Sequence, residues 1–129
     1  VEPLDVVQRF YAAFGKGDRD AMAALLSPTV AWSVGGPPSI PWAGEVEGRA
    51  AALDAIGRWT SAIEMLTGTR EPPIAAGEHV VVRGTGRYRV PSTGKTVDDR
   101  WLHLWHVVDG QIVTFSEYGD TAAAAAAFV

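Results

Sequence analysis

The chain has no cysteine, and this excludes disulfide bridges and thiolate metal sites together. Basic charge is also scarce. Eleven Lys and Arg stand against fifteen Asp and Glu, for a formal charge of −4, and the basic residues do not cluster, so there is no field to hold a phosphate backbone. Nucleic acid is therefore not an expected partner. Long apolar runs are missing too: the longest, Ala122 to Val129, is far short of a membrane span. The opening residues lack the charged-then-apolar pattern of a secretory leader, and with the absent cysteine this gives an expectation of a cytoplasmic protein. What remains is a globular composition, 47% hydrophobic and 20% charged, with five tryptophans in 129 residues. That length suits one domain around one core, residues 1–129.

The richest stretch is Asp99 to Asp120, a run of Trp, Leu, Val, Ile, Phe and Tyr broken only by the turn dipeptide Asp109-Gly110. Alternation puts Trp101, His103, Trp105 and Val107 on one face, and Leu102, Leu104, His106 and Val108 on the other. The loop decides what meets across the hairpin. A two-residue turn pairs Val108 with Gln111 and sends His103 and Glu117 to opposite faces. A three-residue loop, Val108 to Gly110 with a G1 bulge, pairs Val107 with Gln111. Trp101, His103, Trp105, Val113, Phe115 and Glu117 then form one surface, with His103 facing Phe115 and Glu117 on the diagonal. The second arrangement is preferred because it gathers three aromatic rings around two titratable groups.

Earlier in the chain, Leu4, Val7, Tyr11 and Phe14 recur at helical period from Pro3 to Phe14. Asp18 caps a short second helix that Ser27-Pro28 should end. Thr29 to Val34 alternates as a strand. The stretch GGPPSIPWAGEVEG reads as an irregular loop laid over something apolar through Ile40 and Trp42. A third helix is expected from Arg49 to Leu66, and Pro72-Pro73 confines any neighbouring strand to a sheet edge. In the strand from His79 to Val90, Gly84 and Gly86 fall on the apolar face with Val80, Val82, Tyr88 and Val90. They mark either a bend or a space that is wanted empty. Asp120 caps a closing alanine-rich helix. The order is that of an α+β domain with helices over one face of a curved antiparallel sheet.

With these elements placed, VVQRFYAAFGKGDRDAMAALLSPTVAW, PWAGEVEGRAAALDAI and WLHLWHVVDGQIVTFSEYGDTAAAAAAF resemble the opening helices and strand, the loop and third helix, and the closing hairpin of the NTF2-like superfamily, SnoaL-like branch. The resemblance implies an NTF2-like cone: a curved antiparallel sheet wrapped around a pocket closed by three helices of the N-terminal half. Fold alone does not give chemistry. Against ketosteroid isomerases, the oxyanion tyrosine falls on Phe10, beside Tyr11, the base on Val34 and the protonated acid on His103. Against limonene epoxide hydrolases, one aspartate matches Glu117, while the arginine and second aspartate fall on Gly84 and Gly86. SnoaL-like polyketide cyclases fit better, since their histidine and acidic residue match His103 and Glu117.

Glu117 is the expected base, strengthened by loss of solvation among Trp101, Trp105 and Phe115. His103 could polarise a carbonyl, hold Glu117 or fill the core. It cannot share a metal ion with His106 on the opposite face, so no metal and no cofactor are expected. Tyr11, Trp32, Gly84, Gly86, Trp101, Trp105 and Phe115 are the candidate substrate contacts; Phe14, Trp42 and Trp59 are plausible cavity walls that their role as core aromatics already explains. The expected partner is a small hydrophobic ligand. The outer hairpin face, with Leu102, Leu104, His106, Val108 and Tyr118, should pair two copies into a homodimer. The expected activity is proton transfer on an apolar carbonyl compound, the alternative a binding protein that leaves its ligand unchanged.

Overall fold

In the computed structural model, residues 2–129 are described. In chain order the elements are α1 (Pro3–Gly15), α2 (Arg19–Leu25), β1 (Leu26–Val34), β2 (Gly44–Glu47), α3 (Arg49–Ala62), β3 (Glu64–Arg70), β4 (Ile74–Ala76), β5 (His79–Val90), β6 (Lys95–Val108), β7 (Gln111–Gly119) and α4 (Thr121–Ala127). The seven strands make one curved, unclosed sheet in the order β2-β1-β7-β6-β5-β3, with β4 also on β5. The expected antiparallel sheet is mixed at one junction, where β1 runs parallel to β7. No helix among the described residues is long and apolar enough to cross a membrane.

Local chemistry accounts for the helix starts. Pro3 occupies the first turn of α1, where no N–H is needed. Asp18 accepts the Ala21 N–H at 3.1 Å, and Asp120 accepts the Ala123 N–H at 3.0 Å, each satisfying one free donor of its helix. The buried stripe of α1 is rotated from the expected one: Val6, Val7, Phe10 and Ala13 face the core. Tyr11 and Phe14 are thereby left half-buried, at the edge of the space between helices and sheet.

Three expected boundaries move. Ser27-Pro28 does not separate α2 from the strand, because β1 begins at Leu26 and absorbs Pro28 in an irregular stretch between its pairs with Ile112 and Thr114. The proline-rich segment contains β2, whose Val46 pairs with Trp32, while Ile40 and Trp42 are buried as its apolar content requires. The third helix stops at Ala62 rather than Leu66. From Glu64 the chain is taken up as an edge strand against β5, with Gly68 opposite Gly86, and Met65 and Leu66 are left exposed. Pairing along a whole strand outweighs the one further helical turn those residues could have made.

The hairpin differs in loop and agrees in outcome. Asp109 (φ 50°) and Gly110 (φ 76°) both adopt left-handed backbone, as a two-residue type I′ turn requires, and Val108 pairs with Gln111. The three-residue loop is therefore not formed. The extra residue sits within β7 instead: Val107 pairs with Ile112 and His106 with Thr114, so Val113 is a bulge. Beyond it every β7 side chain changes face relative to an unbulged hairpin. Trp105 stands opposite Phe115, and His103 stands opposite Glu117 rather than Phe115.

Candidate active site

Between the concave sheet face and helices α1 and α3 lies a cavity of about 540 Å³, walled mainly by aromatic rings. Trp105, 1% exposed, anchors the wall, with Phe10 at 5.2 Å, Phe115 at 4.5 Å and Trp32 at 6.0 Å between ring centroids. Trp32 stacks on Phe115 at 3.9 Å and 20°. These contacts hold the rings in place, so the polar groups among them have fixed positions.

Those polar groups form a chain. Trp105 Nε1 lies 3.2 Å from Tyr11 Oη, Tyr11 Oη 2.6 Å from His103 Nδ1, and His103 Nε2 3.1 Å from Glu117 Oε1. An indole N–H can only donate, so Tyr11 accepts from Trp105 and is free to donate its own proton to His103 Nδ1. The neutral tautomer that uses every donor then carries its proton on Nε2 and gives it to the Glu117 carboxylate. Both nitrogens of His103 are thus engaged within the protein. Of the roles open to it, holding Glu117 fits this geometry, and polarising a carbonyl does not. Trp101 stacks over the imidazole at 4.2 Å. Burial pushes the Tyr11 phenol above its ordinary range, against the smaller opposing effects of the Trp105 hydrogen bond and the Arg70 charge, so Tyr11 stays a proton donor.

Tyr11, Trp32, Gly86, Trp101, His103, Trp105, Phe115 and Glu117 all border the cavity. Gly84 does not. The Trp101 indole lies over it, and a Cβ there would collide with Trp101 Cζ2 and Thr69 O, so this glycine makes room for a ring rather than for a ligand. Gly86 borders the cavity, and a Cβ there would lie 3.3 Å from the end of the Met65 side chain and 3.4 Å from the Thr67 backbone oxygen, so it would fit with little displacement. His106 is on the outer face, 3.1 Å from Glu78 and stacked on His79.

Phe14, Trp42 and Trp59, expected as plausible cavity walls, line the cavity as well as packing. Three further residues of the lining were not picked out as site residues. Arg70 places its guanidinium 4.3 Å from the centre of the Tyr11 ring; it lies just past the misplaced end of the third helix, where no pattern marked it. Arg83, Arg87 and Arg89, on the outward face of β5, pair instead with Glu71, Asp98 and Glu64. Asp99 also faces inward, and extending the Trp101–His103–Trp105 alternation by two residues would have found it. Burial, helped by the nearby carboxylates of Glu117 and Asp120, raises Asp99 above the ordinary range, opposed by a hydrogen bond from the Asp120 N–H. Tyr88, inward on β5 beside Gly86, completes the set.

Helices closing an aromatic cavity on a curved mixed sheet define an NTF2-like fold. Residues 7–115 match the family model of the SnoaL-like domain, and the chain belongs to that family. An NTF2-like protein from Burkholderia xenovorans LB400 superposes with a TM-score of 0.88 at 32% identity, covering 98% of this chain and 95% of that one. Another, from Burkholderia thailandensis E264, gives 0.87 at 27% identity, covering 100% and 98%. A protein from Mesorhizobium loti described as a SnoaL-like polyketide cyclase shares the fold at a TM-score of 0.74 and 20% identity, with 92% and 99% covered. No curated protein matches the sequence.

Proposed function

We propose that this protein catalyses proton transfer on a small hydrophobic carbonyl compound, in the manner of an isomerase, cyclase or lyase, with Glu117 as the base. The observation that carries this reading is the carboxylate of Glu117, fixed through Oε1 by His103 Nε2 at 3.1 Å while its side chain borders an aromatic cavity. A base held by one oxygen presents the other to substrate. Glu117 removes a proton from the carbon next to the carbonyl, leaving an enolate and a neutral Glu117 carboxyl. The same carboxyl returns the proton to another carbon, or the enolate carbon attacks a second electrophilic carbon of the compound. His103, oriented by Tyr11 and Trp105, is a positioning residue. The test is exchange of the acidic C–H of candidate ketones for deuterium, followed by NMR: the wild-type protein should accelerate it and Glu117→Gln should not. Tight binding with no exchange for any ketone would replace catalysis with ligand carriage.

The same reading includes a two-fold pairing of subunits. Leu102, Leu104 and Val108 are half-exposed on the outer face of the hairpin, and Tyr118 beside them is 60% exposed. An apolar sheet face of this kind is suited to a self-complementary contact.

A further inference from the structure

The cavity carries a positive charge that proton abstraction at Glu117 does not use. Among the described residues, Arg70 is the only Lys or Arg that lines it. Arg70 pairs with Gly84 across β3 and β5, and Gly84 pairs with Trp101 across β5 and β6, so all of them project to the same concave face. The Trp101 indole lies over the glycine between them. Arg70 is exposed as well as bordering the cavity, so it stands where the cavity meets solvent. Met65, on the same strand, is 46% exposed and also lines the cavity.

Other arginines are taken up within the protein. Glu71, the next residue in the chain, holds Arg83 at 2.7 Å, while Arg87 and Arg89 hold Asp98 and Glu64. Arg49 and Arg58 donate to the carbonyl oxygens of Leu26 and Pro41. Among the described residues Arg70 has neither a carboxylate nor a carbonyl; its guanidinium carbon lies 4.3 Å from the centre of the Tyr11 ring. A ring face attracts the cation but offers no oxygen, so the N–H donors stay open to an acceptor.

The negative groups of the cavity are elsewhere. Asp99 and Glu117 both border a side recess that Arg70 does not reach. Arg70 touches the Tyr11 ring, Tyr11 reaches His103 and His103 reaches Glu117, so the rings of Tyr11 and His103 separate the cation from that carboxylate. An anionic ligand is repelled from the recess and attracted to the mouth, and this orients it. The guanidinium fork matches the paired oxygens of a carboxylate, and a single cation neutralises its single charge. A phosphate would bring a second charge with nothing to oppose it. We propose that Arg70 binds a carboxylate of the ligand, so that the substrate class is a keto acid, with its apolar body among the rings and its carboxylate at the mouth. This rests on the reading of Glu117 as a base acting beside a carbonyl.

The test is calorimetric titration of the purified protein with benzoylpropionate, benzoylbutyrate and benzoylvalerate, each against its methyl ester. The ester keeps the ketone and the chain and removes the charge. At the best chain length the wild-type protein should bind the acid roughly tenfold more tightly than the ester at low salt. At about 0.5 M sodium chloride that preference should shrink, because the pair is exposed to screening. Arg70→Gln should bring the ratio of the two affinities to about one, and Arg70→Lys, which keeps the charge and loses the fork, should retain part of the preference. Circular dichroism melting establishes that the variants are folded, and the salt response is read on the wild-type protein alone. Equal affinity for acid and ester at every length, a preference for the esters, no measurable binding, a preference indifferent to salt, or a ratio unchanged in Arg70→Gln overturns the proposal. The ratio reports on Arg70 and deuterium exchange reports on Glu117, so either reading can fail without the other.

Discussion

His103 and Glu117 stand directly opposite one another on β6 and β7 because Val113 bulges from β7 between them and the turn. A tight turn alone would have turned Glu117 to the outer face. The pair therefore depends on the Asp109-Gly110 turn and the Val113 bulge together, and the chemistry proposed depends on the pair. Glu117→Gln preserves size and keeps an acceptor for His103 but removes the proton acceptor. Turnover of any substrate found should fall by roughly 10²–10⁴. Affinity for a neutral ligand should hold or rise, since a half-buried carboxylate has been neutralised. Steady-state kinetics with a direct binding titration separates the two, and full turnover in the variant would remove Glu117 from the mechanism.

Tyr11 reports on positioning rather than on the proton. Tyr11→Phe leaves both the Trp105 Nε1–H and His103 Nδ1 without the partner they share. The expected loss of stability is about 1–3 kcal/mol, visible as a lower melting temperature. The imidazole should lose its single orientation, so kcat should drop while KM changes little. A fall in kcat as deep as that of Glu117→Gln would instead make Tyr11 a direct participant.

Alternation along the closing hairpin made the inward set from Trp101 to Glu117 legible, since a period of two is a local property of the strand. The loop was not legible. Asp109-Gly110 favours the tight turn it forms, but the bulge at Val113 has no marker residue and is set by which side chains the core accepts. The end of α3 was misplaced for a related reason: residues 64–66 continue a helical pattern, and only their pairing with β5 makes them a strand. Arg70 lies beyond that error and was lost with it. Gly84 and Gly86 were recognisable as a pair needing explanation, yet they have different explanations, because only the placed Trp101 ring distinguishes them.

That difference is measurable. Gly84→Ala puts a Cβ into the Trp101 ring and the Thr69 carbonyl, and the backbone oxygen cannot yield as a side-chain end can. It should destabilise the fold by about 1–3 kcal/mol, by overpacking. Gly86→Leu brings a Cβ to 3.3 Å from the flexible end of Met65 and to 3.4 Å from the Thr67 backbone oxygen, the edge of ordinary contact, and the rest of the side chain enters the cavity. It should leave the melting temperature close to wild type and abolish ligand binding. The reverse pattern, a folded Gly84→Ala that no longer binds and an unstable Gly86→Leu, would exchange the two roles.

The proposed pairing through the outer hairpin face predicts a dimer in sedimentation at micromolar concentration. Leu104 lies at the middle of that face, opposite Ser116. Leu104→Glu places like charges across a two-fold contact and should give a folded monomer. A wild-type monomer at that concentration, or a Leu104→Glu variant that stays dimeric, would rule this face out as the contact.

Asp99 allows a test of pH dependence with a definite sign. Its carboxyl is raised above 3.8, its ordinary value, first by burial and then by the charges of Glu117 and Asp120, despite the opposing Asp120 N–H. A raised folded-state value means that the folded protein holds this proton more tightly than the unfolded chain does. Below the ordinary carboxylate range Asp99 is protonated in both states, and its contribution is fully present. As pH rises through the interval up to the raised value, the unfolded chain releases the proton first, and stability is lost. Asp99→Asn has no such proton and so no such slope. Melting temperatures of the two proteins measured from pH 3 to pH 8 should therefore diverge in favour of Asp99→Asn as pH increases, the groups they share cancelling in the difference. Divergence in favour of the wild-type protein would mean that the Asp120 N–H stabilises the Asp99 anion by more than its burial costs.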